Sequence, residues 1–132
     1  MIIENAIRLH LLAQPGLTAL IGQKLYYVTA PQTVENPYVV FFKVSAVPEY
    51  SLTGHSGLIN ARFQFSIFAD TYYEIKLIAT QIQLALQDKC NEVIGGVGGL
   101  NVSVQYENET DLYEPDSLCF QCAAEYFIQY NE

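Results

Sequence analysis

The chain has 132 residues, 51% of them hydrophobic, and sets six Lys and Arg against fourteen Asp and Glu for a net charge of −8. That length suits one domain over 1–132 that buries a core without staples, and the apolar content argues against disorder. The cations Arg8, Lys24, Lys43, Arg62, Lys76 and Lys89 are scattered, so no cluster is present to displace counterions from phosphates, which argues against sequence-specific nucleic-acid binding. No apolar run reaches the length of a membrane span.

Residues 3–13 read as a short N-terminal helix, with Ile3, Ala6, Ile7 and Ala13 on one face and Glu4, Asn5 and Arg8 on the other. Pro15-Gly16 stops it, and 17–21 form one more turn closed by Gly22. A short strand at 25–28 leads to an extended loop over 30–37 with two prolines. Residues 38–47 form the second strand, with Val40, Phe42, Val44 and Ala46 on one side and Val39, Phe41, Lys43 and Ser45 on the other. Residues 48–57 are polar and glycine-containing, and read as a long hairpin connection.

In the third strand Ile59, Ala61, Phe63, Phe65 and Ile67 alternate with Asn60, Arg62, Gln64 and Ser66, which gives one dry face and one wetter face. At Thr71 the period changes from 2 to 3.6. Asp70 or Thr71 caps a helix over about 71–89, and Thr71-x-x-Glu74 fits a capping box. Ile75, Ile78, Ala79, Ile82, Ala85 and Leu86 form its apolar stripe, whose burial contributes on the order of 10 kcal/mol before entropy. Tyr73, Leu77 and Leu84 lie on the opposite side, which calls for cover from the N-terminal helix or from another subunit.

The glycine run at 95–99 has no Lys or Ser/Thr in phosphate-loop positions and reads as a flexible link. A fourth strand spans 101–106. Glu107, Glu109, Asp111, Glu114 and Asp116 then suggest a solvated, self-repelling loop or hairpin tip over 107–117. The last strand, 119–130, sets Phe120, Cys122, Ala124, Tyr126 and Ile128 on one face. The fold class is α+β: an antiparallel or mixed β-sheet with the long helix packed on one face and the short N-terminal helix.

Catalytic constellations are absent from this pattern. His10 sits among apolar helix positions and reads as a half-buried histidine with one satisfied nitrogen. His55-Ser56 lacks the geometry of a nucleophile and its base, and is not a nucleophile elbow. Cys119-x-x-Cys122 falls in a strand, where i and i+3 point to opposite faces, so a redox or zinc role is not expected. Cys90 completes a set of three reduced thiols. The start, Met1-Ile2-Ile3-Glu4-Asn5, lacks the basic segment of a secretory signal, which points to folding in a cytoplasm. No enzyme activity, cofactor or metal is expected. Ten tyrosines, several of them in loops or at a helix start, suit either core edges or protein contacts.

Several segments in order resemble the tail-completion family of long-tailed phages and prophages. They are Gln14-Pro15-Gly16-Leu17, Leu20-Ile21-Gly22, Ala30-Pro31-Gln32, Pro37-Tyr38-Val39-Val40-Phe41, Tyr50-Ser51-Leu52-Thr53-Gly54, and the run from Ala61-Arg62-Phe63-Gln64-Phe65 to Phe68-Ala69-Asp70-Thr71-Tyr72. Beyond Cys90 only the general pattern matches. The resemblance implies a tail-terminator-like structural protein: a homo-hexameric ring at the head-proximal end of the tail tube, formed free or only on assembly. Its partners would be the tail-tube protein and the head connector protein, in the host cytoplasm during assembly and then in the virion tail or neck. DNA would pass through the ring, and acidic residues would either repel it from the lumen or face outward for solubility. On this reading the contact candidates are Tyr50, Leu52, His55, Tyr73, Leu77, Leu84, Glu109, Asp111 and Tyr113. The alternatives are another neck protein (head-closure or adaptor) and a small cytoplasmic ligand-binding or hydrolase domain.

Overall fold

Three helices and six strands follow one another in the computed structural model, which describes residues 2–52, 54–87, 89–90, 92–96, 98–115 and 118–131, with 51, 55 and 56 as backbone alone. The order is α1 (Ile3–Leu12), α2 (Pro15–Ile21), β1 (Leu25–Tyr27), β2 (Tyr38–Ser51), β3 (Gly54–Ala69), α3 (Tyr72–Leu86), β4 (Glu92–Ile94), β5 (Leu100–Glu114) and β6 (Cys119–Asn131). The strands form one mixed sheet in the order β1-β2-β3-β6-β5-β4, with β1 and β2 parallel and every other pair antiparallel. The chain is therefore α+β, with its helices on one sheet face.

The core follows the sequence periods. Ala61, Phe63, Phe65 and Ile67 from β3 and Cys122, Tyr126 and Ile128 from β6 are fully buried under Ile75, Ile78 and Ile82 of α3. Phe41, Phe63, Phe65 and Tyr126 form a chain of ring contacts across three strands. In α1 the buried side is Ile3, Ala6, Ile7 and Leu11, whereas Ala13 is an exposed cap beyond the last turn.

Five expectations are corrected. The helix expected over about 71–89 spans Tyr72–Leu86, so it is 15 residues and not long. Thr71 does cap it, its hydroxyl accepting from the Glu74 N–H at 3.2 Å. The helix ends where its stripe ends, at Leu86, and Gln87 turns to extended backbone. Residues 48–57 are not a long loop: β2 and β3 stay paired to Ser51↔Gly54, with a bulge between Pro48 and Tyr50. An earlier bulge between Lys43 and Ser45 breaks the alternation that put those two on one face. Nor are residues 107–114 a loop, because they pair with β6 as far as Glu114↔Cys119. Finally, the glycine run is the turn of the β4–β5 hairpin. Gly95, Gly96 and Gly98 there have positive φ, and a Cβ on Gly99 would collide with the Ile94 carbonyl oxygen.

Candidate functional site

The hairpins β2–β3 and β5–β6 turn at opposite ends of the sheet, since β3 and β6 run antiparallel from Leu58↔Asn131 to Ala69↔Phe120. Their surroundings differ. Beyond Lys43 the side chains of β2 are mostly exposed on both faces: Val44, Val47, Tyr50 and Leu52 are all exposed, Leu52 completely. Beyond its short pairing with β1, β2 has β3 as its strand neighbour among the described residues, so this stretch lies at the sheet edge. Long apolar edge strands of this kind are templates for pairing with another chain.

At the other end, β5 is tied to α3. Lys76 Nζ donates to Glu109 and to Asp111, each at 2.8 Å, and Tyr72 donates its hydroxyl to Asp111 at 2.8 Å. Lys76 also lies over the Tyr72 ring, while Tyr72 and Tyr113 both pack on Phe120. The hydrogen bond from Lys76, against partial burial, holds the Asp111 carboxyl below its ordinary range. Partial desolvation opposes the charge on Lys76, yet its bonds to Asp111 and Glu109 raise its pKa above the ordinary lysine value.

Glu109, Asp111 and Cys122 bring their ligand atoms within 4.8 Å of one another, the spacing of a metal site. The Lys76 ammonium fills the place between the two carboxylates. Burial pushes the Cys122 thiol up to about 12, so sulfur is a protonated thiol rather than a thiolate ligand. The donor set therefore fits an internal cation.

The contact candidates do not form one patch. Tyr50 and Leu52 lie on the β2–β3 hairpin, and the His55 side chain lies outside the described residues. On α3, Tyr73 and Leu84 are exposed and Leu77 is half-buried. The N-terminal helices pack on the Gln81 and Ala85 side of α3 and leave Tyr73 and Leu84 uncovered. Glu109 and Asp111 are brought together with Tyr113 nearby, but they are ion-paired rather than self-repelling, and they point to the helix side. His10 is a structural residue as read, its Nε2 2.8 Å from the Ala85 carbonyl oxygen at the α3 C-terminus.

Two features carried no sequence signal. One is Lys76 as the partner of acids 33 and 35 residues away. The other is a groove of about 440 Å³ on the sheet face away from the helices, between residues 28–34 and the side chains of Val40, Phe42 and Phe68. Among the described residues no helix is long and apolar enough to cross a membrane.

Solved structures with this fold include a chain from "Virion of native gene transfer agent (GTA) particle". It is 16% identical, with a TM-score of 0.80 over 98% of this chain and 95% of that one. A second solved chain is 12% identical, with a TM-score of 0.61 over 100% of this chain and 97% of the other. At these identities the likeness is one of fold. No curated protein matches. The family model "Tail completion protein gp17" matches residues 5–128, nearly the whole sequence, and the chain belongs to that family of phage tail structural proteins.

Proposed function

We propose that this chain is a tail terminator: a single domain over 1–132 that forms a homo-hexameric ring on the head-proximal end of a tail tube, ends tube growth and joins tail to head. The observation that carries the reading is the family match over 5–128. The two open sheet edges give it a physical basis. A six-fold ring is built from heterologous contacts that close, and each subunit must then present two different surfaces on opposite sides. Here those sides are the two ends of the strand order, the β1–β2 side and the β5–β4 side. The mechanism is contact rather than chemistry. One ring face docks on the last tube ring, and the other refuses further tube subunits and accepts the head connector.

The hairpin with Tyr50 and Leu52 is the better candidate for the tube, because both are large apolar side chains exposed to solvent. Tyr73, Leu84 and Tyr113 remain for the neighbouring subunit or the connector. Glu109 and Asp111 are assigned to positioning β5 rather than to a negative lumen, because both are tied to Lys76, whose charge offsets one of the two. The site of action is the virion tail or neck, after assembly in the bacterial cytoplasm.

The test is tube length. Polymerising tail-tube protein in the presence of this chain is expected to give short tubes capped at one end. Unchanged length, with the chain bound only to connector, would replace the terminator by a neck adaptor.

A further inference from the structure

We infer that the groove on the outer sheet face receives the Leu112 end of a second copy of this chain, an inference that rests on the ring reading and specifies its subunit contact. The groove is bordered by Pro31, Gln32 and Val34 and floored by Val40, Phe42 and Phe68. It lies on the β1–β2 side of the sheet. Tyr38 pairs with Phe68, Phe68 with Gln121, and Gln121 with Leu112. Groove and Leu112 thus stand at the two ends of one cross-strand row, about 14 Å apart at ordinary strand spacing. Asp111 points to Lys76 on the helix side, so alternation turns Leu112 to the same outer face as the groove, where it is exposed.

This placement decides the kind of contact. A hole and a knob at one height on opposite edges meet between side-by-side copies in a head-to-tail arrangement, which can close into a ring. Copies stacked along the strand axis would bring different rows together. Charge agrees. Lys24 stands at the groove end of the row, its carbonyl accepting from the Val39 N–H. Its ammonium reaches the Glu35 carbonyl oxygen at 3.2 Å and has no carboxylate partner among the described residues. At the other end Glu114, on the Leu112 face, is exposed and has no cationic partner among the described residues. Docking Leu112 in the groove brings this anion toward that cation, and such complementarity selects register more than it adds affinity.

Disulfide trapping tests the contact. One chain carries Gln32→Cys at the groove and the other Thr110→Cys beside the knob, both with Cys90→Ser to remove the exposed native thiol. Leu112, Lys24 and Glu114 stay intact. After mixing and mild oxidation, the mixed product is expected in roughly tenfold excess over the two like-with-like products, because a heterologous contact joins unlike surfaces. Adding Leu112→Asp to the Thr110→Cys chain should remove that excess. Statistical proportions from a chain that still forms rings would overturn the contact and leave the ring standing. Trapping that survives Leu112→Asp would also overturn it. A chain carrying both cysteines separates the two claims: a covalent ladder that stops at one closed species fits both, and an open-ended ladder keeps the contact and removes the ring.

Discussion

The two hairpins are made from one sheet, yet they are built oppositely. The β5–β6 end is locked to α3 by Lys76 and Tyr72 and closed by the tilted ring contact of Tyr113 with Phe120. The β2–β3 end runs past the helical layer with Val47, Tyr50 and Leu52 exposed. On the proposed reading each end is an assembly element. A held edge can set the register of a neighbouring subunit, and an exposed apolar arm can adapt to a different protein. The difference teaches that strand length alone does not define a binding element; what covers it does.

Breaking the shared core should abolish both ends together. Phe65 is fully buried and touches Phe41 and Tyr126, so Phe65→Ala is expected to cost about 3–5 kcal/mol in denaturant unfolding. The locked end is broken selectively by Lys76→Met. Its side chain is one-third exposed, so the expected loss is only about 1–2 kcal/mol. The sign with pH is fixed. Asp111 has a lowered pKa, so its contribution is present above the ordinary 3.8 and is lost as pH falls below that value. Lys76 has a raised pKa, so its contribution is present below the ordinary 10.5 and is lost above it. The stability gap between wild type and Lys76→Met should therefore be flat near neutrality and shrink at both extremes. A gap that persists at pH 2 would mean that Lys76 acts through packing.

Smaller effects sharpen the contrast. The Tyr126 hydroxyl is buried without a hydrogen-bond partner among the described residues, and burial raises its pKa. Tyr126→Phe should leave stability unchanged or raise it by about 1 kcal/mol. A loss above that would reveal a partner for the hydroxyl. At the free end, Tyr50→Ala with Leu52→Ser should change stability by no more than about 0.5 kcal/mol while abolishing tube capping. Capping that survives this pair would move the tube contact elsewhere.

Much of the covered region was legible in the sequence. The stripe Ile75, Ile78, Ala79, Ile82, Ala85, Leu86 is buried as its period requires, and so are the alternating residues of β3 and β6 apart from half-buried Phe120. The Thr71 cap was readable because capping is local. The hairpin extensions were not. Pro48, Glu49 and Gly54, or Glu107 to Glu114, carry turn and charge chemistry, and only pairing with a distant partner makes them strands. Strand β4 is three residues long and has no period to read. The groove and the Lys76 network exist only once residues far apart in sequence are packed together. They are therefore the parts of the candidate site that sequence patterns missed.

Native mass measurement combined with negative-stain imaging, on the purified chain with and without tail tubes, tests the terminator reading most directly. Six-fold rings, or a single cap at one end of each tube, are the expected result. A stable dimer that leaves tube ends bare would contradict it.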